Sequence, residues 1–228
     1  MLLRLLKKSL LILLALSISG VLALRWLPAP TSAFMIGAQW RALVQGDEDF
    51  TLSYRWTDRK AVSRWVPIAI IAAEDQRFLQ HWGFDFTAIA KALRRNQHAH
   101  TVHGASTLTQ QTAKNLFLYS DRSLLRKGIE AYFTLLLEIC WPKYRILEMY
   151  LNIAQFGNGI YGVESASQRF FRKPARQLKP AEAALLAAVL PNPIKLRIDK
   201  PSAYVLKRRD WILRQMRLLE GSEYLTGL

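Results

Sequence analysis

From Val66 onward, apolar positions recur at spacings of three and four, the period of a helix that packs one face. The spacing predicts helices over Val66–Gln80, Phe86–Arg95, Thr107–Leu116, Leu124–Glu138, Lys143–Asn152, Val163–Phe171, Ala181–Val189 and Ser202–Leu219. Pro142 and Pro180 fall at or near first turns, where a missing backbone N–H is tolerated. Thr51 to Trp56 (TLSYRW) alternates polar and apolar residues and predicts one short strand. Gly157, Gly159 and Gly162 interrupt the helical period and mark a turn. There is no internal repeat and no low-complexity tract. The expected fold class is mostly α.

A second apolar pattern opens the chain. Arg4, Lys7 and Lys8 precede the run Ser9 to Leu24, and Arg25-Trp26 follow it. The run is slightly shorter than the roughly 20 residues of a spanning helix, and Trp26 and Leu27 extend it into the interface. It predicts a cytoplasmic segment over 1–8 and an uncleaved transmembrane anchor over 9–27, with a cleaved signal peptide as the alternative. A cationic N-terminus stays in the cytoplasm, which exports everything after Arg25. Pro28-Ala29-Pro30-Thr31-Ser32 is a stiff exit, and Ala38 to Phe50 mixes apolar with acidic residues. Residues 28–50 therefore read as a linker and membrane-proximal segment, and 51–220 as the folded domain.

Composition refines this picture. A chain of 228 residues, 51% hydrophobic, can build one sizeable core. Its one cysteine, Cys140, excludes an internal disulfide and reads as a small buried hydrophobe within LLLEICW. The formal net charge of +15 attracts something anionic. For an exported, tethered domain that partner is membrane lipid or a lipid-linked phosphate, not nucleic acid.

Four stretches carry candidate chemistry. EDQRFLQHWG (Glu74 to Gly83) sets two carboxylates directly after an apolar run. On a continuous helix Glu74 lies between Ile70, Ile71 and Phe78, surroundings that disfavour its charged form and suit a general base. Pairing with Arg77 is the bland alternative. GASTLTQQTAKN (Gly104 to Asn115) crowds hydrogen-bonding side chains ahead of a cation, which suits sugar hydroxyls or phosphate. Ser106 or Thr107 is also a natural N-cap, and Lys114 could be simply solvated. Arg122, Arg126 and Lys127 form a cationic strip ending at Glu130; ordinary intrahelical pairing competes with a diphosphate clamp. In ILEMYLN (Ile146 to Asn152) the apolar positions read as core, with Glu148 and Asn152 fixing backbone and neighbours.

These four stretches, in this order, resemble the motifs of the peptidoglycan glycosyltransferases, which polymerise lipid II. EDQRFLQHWGFD resembles the first motif, GASTLTQQTAKNLFL the second, RKGIEAYFTLLLE the third, and KYRILEMYLNIAQFGNGIYGVESAS the fourth. The resemblance runs from about Val66 to Pro193, and AEAALLAAVLPNP fits the close of the domain. No Ser-x-x-Lys tetrad occurs, so the resemblance is to the monofunctional branch, without a transpeptidase domain. His98 to His103 (HAHTVH) matches nothing in the family and reads as a loop rather than a metal site.

The resemblance implies a lysozyme-like helical domain embedded in the outer, periplasmic face of the bacterial inner membrane. The growing glycan on undecaprenyl diphosphate is the donor and lipid II the acceptor. Wall-synthesis or division proteins are conceivable partners. The resemblance makes Glu74 the catalytic base and Glu130 the second essential acid. Asp75 would orient the site, with Phe78 and Trp82 beneath it or at the lipid boundary. Lys114, Arg122, Arg126 and Lys127 would offset diphosphate charge, and Ser106, Gln110 and Gln111 would hold sugar or phosphate oxygens. Some members use a divalent ion such as Mg²⁺, but no metal-ligand spacing here demands one. Two rivals remain. A peptidoglycan-cleaving enzyme could share the shape and the glutamate, but it has no use for the cationic strip. A tethered scaffold would explain anchor and charge, but not the polar cluster around Gln110 and Gln111.

Overall fold

A computed structural model describes residues 2–96, 105–121 and 123–220. His98 to His103 and Arg122 lie outside the described residues. The helices are α1 (Leu2–Leu24), α2 (Ala33–Gln45), α3 (Trp65–Glu74), α4 (Phe86–Asn96), α5 (Leu108–Phe117), α6 (Leu124–Cys140), α7 (Lys143–Ile153), α8 (Val163–Phe171), α9 (Pro180–Val189) and α10 (Ala203–Glu220). Three short strands, β1 (Ser53–Tyr54), β2 (Gln155–Gly157) and β3 (Ile160–Tyr161), form one small sheet. Its order is β1-β3-β2, with β1 parallel and β2 antiparallel to β3, so the glycine-marked turn is the hairpin between β2 and β3.

The core centres on α3 and α9, the two most uniformly apolar helices of the domain. Val66, Ile68, Ala69, Ile70, Ile71 and Ala72 of α3 are buried, as are Ala183, Ala184 and Leu186 to Val189 of α9. The small side chains of α9 let the helices approach closely, and α10 packs across both. A second group, α5 with α6 and α7, holds the polar motifs. Pro180 occupies the first turn of α9 and Pro142 caps α7, as their positions predict.

Three readings change. The expected helix Val66–Gln80 ends at Glu74. Asp75 leaves helical geometry because its carboxylate is engaged elsewhere, accepting from Nε2 of His81 (2.9 Å) and from the backbone N–H of Leu108 (2.9 Å). Phe78 is consequently not one turn above Glu74. The stretch read as a linker contains α2, whose Ser32 accepts from the N–H of Met35. Cys140 is half-buried rather than buried, at the end of α6.

Helix α1, from Leu3 to Leu24, is long and apolar enough to cross a membrane. Its free C-terminal carbonyls are taken by side chains of the domain. The indole of Trp141 donates to Val21 (2.7 Å), and Arg145 donates to the carbonyls of Leu24 and Leu27. Arg145 is itself held by Glu148 and lies over the ring of Trp56. Arg25 returns the contact by donating to the carbonyl of Cys140. The C-terminal end of α1 is therefore clamped to the corner between α6 and α7.

Candidate active site

Glu74 is the last residue of α3. Its Oε2 accepts from Nε2 of Gln111 (2.9 Å), and its Oε1 faces Nη2 of Arg208 at 3.4 Å. Burial pushes its carboxyl above the ordinary carboxylate range, while the Gln111 amide and Arg208 pull the other way. The negative end of the α3 dipole acts in the same direction as burial. The group is thus a carboxylate held ready to take a proton.

The start of α5 places Gln111. Thr107 caps the helix in a reciprocal box, its hydroxyl accepting from the N–H of Gln110 and its own N–H donating to Oε1 of Gln110. The Thr107 hydroxyl also donates to the carbonyl of Gly83 (2.6 Å). With Asp75 holding Leu108, this fixes the first turn of α5 to the chain leaving α3. Gln111, one turn in, then reaches Glu74. Its Oε1 accepts from the hydroxyl of Tyr150 (3.0 Å), which fixes the orientation of the amide. Tyr150 is fully buried and its hydroxyl is pushed well above its ordinary pKa, so it remains a donor.

Gly83 makes this junction possible. Its φ is +77°, and a Cβ there would sit 2.6 Å from Cγ2 of Thr134. Behind it, buried Glu138 accepts from the Thr109 hydroxyl (2.6 Å) and Lys143 Nζ (2.7 Å).

On one side of Glu74 lies the cationic strip. Arg126 Nη1 pairs with Glu130 Oε2 (2.6 Å), and Lys127 pairs with Oε1. Glu130 is buried, with one oxygen held by each of these cations. Lys114 is charge-coupled to Glu130, Arg126, Lys127 and Glu74, and burial lowers its ammonium pKa. Its Nζ stands 5.5 Å over the ring of Phe34 in α2. Both Glu130 oxygens are already engaged by cations, and no group of three or more His, Cys, Asp or Glu gathers among the described residues. That donor set does not fit Mg²⁺, which needs free oxygen ligands.

On the other side Glu74 lines an open cavity of about 430 Å³, with Arg77, Asp85, Lys91, Arg95 and Ser106 in its wall. Asp85 accepts from Arg77 (3.2 Å) and from the N–H of Ala88, capping α4.

The sequence-predicted residues therefore divide. Glu74, Gln111, Lys114, Arg126, Lys127 and Glu130 gather around one site, and Ser106 lines its cavity. Asp75 lines the cavity too, but its carboxylate is spent on His81 and Leu108, so it positions. Two expectations are corrected. Phe78 is 0% exposed in the core, with Lys143 Nζ 4.6 Å over its ring, and touches no substrate there. Gln110 is buried in its capping box and offers nothing to a sugar or phosphate. Trp82 is exposed, which of its two expected places leaves the lipid boundary. The intrahelical pairing of Arg126 and Lys127 with Glu130, set against the clamp in the sequence, is present, and both cations still border Lys114.

Sequence reasoning missed Tyr150, Arg208 and the cavity cations. Tyr150 sits in an apolar run and reads as core; its only signal is a hydroxyl that needs a buried partner. Arg208 belongs to a basic run, Lys207-Arg208-Arg209, that reads as solvated surface. Glu148 and Asn152 behave as expected: Glu148 accepts from the N–H of Arg59, and Asn152 exchanges hydrogen bonds with the backbone of Thr57.

Comparison with known proteins places the chain in a family. The transglycosylase family model matches residues 46–217. A biosynthetic peptidoglycan transglycosylase of Cronobacter sakazakii is 50% identical over 223 residues, covering 98% of this chain and 92% of its own length. That of Citrobacter koseri is 53% identical over 91% of this chain and 86% of its own. That of Haemophilus influenzae is 52% identical over 91% of this chain and 85% of its own. With a helical domain built around a buried glutamate and a strip of cations, and with this match across most of its length, the chain belongs to the transglycosylase family.

Proposed function

We propose that this chain polymerises lipid II into β-1,4-linked glycan strands at the outer face of the cytoplasmic membrane, releasing undecaprenyl diphosphate. The observation that carries the reading is the buried Glu74 with cations about it: Arg208 at 3.4 Å, Lys114 near enough to act on its charge and itself bordered by Arg126 and Lys127, and Arg77, Lys91 and Arg95 in the wall of the cavity that Glu74 lines. A reaction between two diphosphate-bearing substrates needs a base flanked by positive charge in this way, whereas hydrolysis of a glycan does not. The names of the relatives, biosynthetic peptidoglycan transglycosylases, support the same substrate.

In the reaction, Glu74 takes the proton of the acceptor 4-hydroxyl as that oxygen bonds to C1 of the donor sugar. The bond from C1 to the diphosphate oxygen breaks, its electron pair leaves on the diphosphate, and the anomeric centre inverts. Lys114, Arg126 and Lys127 meet the charge that develops there. Glu130 holds Arg126 and Lys127 in place. Tyr150 and Gln111 keep the Glu74 carboxylate aimed. Ser106, in the cavity wall, is placed to meet the acceptor. The apolar α1 and its clamp support a membrane-held domain, and the cationic residues Arg4, Lys7 and Lys8 support its outward orientation.

Labelled lipid II incubated with the detergent-solubilised chain tests this. Long lysozyme-sensitive polymer is the expected product. Absence of polymer together with cleavage of preformed glycan would establish a lytic enzyme instead.

A further inference from the structure

Helix α10 lies outside the four stretches that carry the candidate chemistry, yet it supplies a neighbour of the base. Val205, Ile212 and Met216 bury one face of α10 where it packs across α3 and α9. Arg208 stands three residues after Val205 and four before Ile212, so it shares that face. Its guanidinium must find a partner at the edge of the core, and it reaches Glu74. The helix that carries it is pinned, because Gln76, in the chain leaving α3, donates to Gln215 two turns further along α10 (3.2 Å).

The two oxygens of Glu74 are held unequally. Oε2 accepts from Gln111 at 2.9 Å, and that amide is itself fixed by the buried Tyr150 hydroxyl at 3.0 Å. Among the described residues Oε1 faces Nη2 of Arg208 alone, at 3.4 Å, longer than a well-made charge-assisted bond of about 2.7–2.9 Å. Arg208 has little else to hold it. Its Nε is buried without a hydrogen-bond partner among the described residues, whereas the neighbouring Arg209 pairs with Asp210 at 2.7 Å. One long contact and an unmet buried donor make a resting place that costs little to leave.

We infer that the Glu74 oxygen facing Arg208 is the one that takes the acceptor proton, and that Arg208 is its removable partner, covering it in the resting chain and yielding it to the incoming 4-hydroxyl. The inference deepens the polymerase reading and rests on it. Arg208 is a positioning residue whose departure matters as much as its presence. In place, its charge favours the ionised form of Glu74 against burial, with Lys114 of α5 assisting and Asp75 opposing. Tyr150 of α7 stays neutral, and Arg77, Asp85, Lys91 and Arg95 line the same cavity as Glu74. Once displaced, Arg208 leaves a carboxylate of higher proton affinity just as the hydroxyl arrives, which raises the driving force for the transfer. The proton passes from the hydroxyl to this oxygen as the new bond to C1 forms, while Gln111 keeps the carboxylate aimed.

The test compares the acid limb of kcat/KM, which reports the free enzyme, with that of kcat, which reports the substrate complex. The detergent-solubilised full chain polymerises labelled lipid II across pH as wild type, Arg208→Gln, Arg208→Met and Arg208→Lys, each checked by thermal unfolding. In the wild type the kcat limb is expected about one pH unit above the kcat/KM limb, the low end for a carboxylate that loses a guanidinium neighbour. In Arg208→Gln and Arg208→Met the kcat/KM limb should rise to meet the kcat limb, which stays in place, and Arg208→Lys should restore most of the gap. Coincident limbs in the wild type would overturn the release, a result that needs no variant to fold. A gap that persists unchanged in folded Arg208→Gln would trace it to the charge of the substrate and overturn the role of Arg208. Limbs that rise together in the variants would place Arg208 on Glu74 throughout the reaction and overturn its release. No polymer from the wild type at any pH would instead overturn the polymerase reading itself.

Discussion

Replacing Tyr150 by Phe removes one oxygen that touches no substrate, yet it should slow the reaction. The Tyr150 hydroxyl donates to Oε1 of Gln111 at 3.0 Å, and the same amide donates to Glu74 at 2.9 Å. Without the hydroxyl, Oε1 loses its partner and the amide is free to turn its oxygen toward the carboxylate. Losing the bond and stranding the acceptor costs about 1–2 kcal/mol of stability. If a comparable part of that energy aligns Glu74 in the transition state, kcat falls roughly tenfold. The Gln111 amide also lowers the Glu74 pKa against burial, so loosening it moves the acid limb of the pH–rate profile upward. KM for lipid II should change little. The assay is initial-rate polymerisation of lipid II across pH, beside thermal unfolding. Ser63→Ala serves as comparison, because it removes a bond to the Leu178 carbonyl (2.7 Å) remote from these groups. If Tyr150→Phe lowers stability as Ser63→Ala does but leaves kcat and the acid limb unchanged, the hydroxyl does not position Glu74.

Further outcomes follow from the same groups. The profile of kcat/KM should be bell-shaped: Glu74 must be ionised and its pKa is raised, so the acid limb lies above the ordinary carboxylate value of about 4.3. Lys114 must be charged and its pKa is lowered, so the basic limb lies below the ordinary lysine value of about 10.4, and Lys114→Met should abolish that limb along with most activity. Glu74→Gln should unfold at a higher temperature than the wild type at neutral pH. A carboxyl whose folded pKa is raised contributes stability below its unfolded pKa and loses it as pH rises through the folded one. The loss is about 1.4 kcal/mol for each pH unit that separates the folded from the unfolded pKa, so the difference should vanish at acid pH. Gly83→Ala forces a positive φ on alanine and drives its Cβ against Thr134, and calorimetry should show a loss of at least about 2 kcal/mol with a parallel fall in rate.

Much of this was legible along the chain, for physical reasons. Helix α10 shows why: Val205, Ile212 and Met216 are buried at spacings of seven and four, the stripe that apolar periodicity reads. Glu74 stood out because an acid after Ala72-Ala73 breaks an apolar run. The end of α3 was not legible: Asp75 leaves the helix to accept from Leu108, thirty-three residues away, and such a partner leaves no local mark. Helix α2 escaped notice because it is apolar on two faces and so lacks the contrast that reveals an amphipathic helix. Gln110 and Gln111 are adjacent and alike in sequence, yet one closes a capping box and the other holds the base; only the position of the N-cap separates them. Tyr150 was hidden by the apolar residues around it, since a hydroxyl at the end of a buried ring is invisible to periodicity.

The central claim is that Glu74 removes the acceptor proton while the cations of α5 and α6 hold the leaving diphosphate. It is tested most directly by comparing wild type with Glu74→Gln in polymerising saturating lipid II, with binding of the donor measured alongside. The account predicts that the variant binds the diphosphate-linked donor as well as the wild type does but turns it over at least about a hundredfold more slowly, the scale of a lost general base. A variant that polymerises at near the wild-type rate would contradict it.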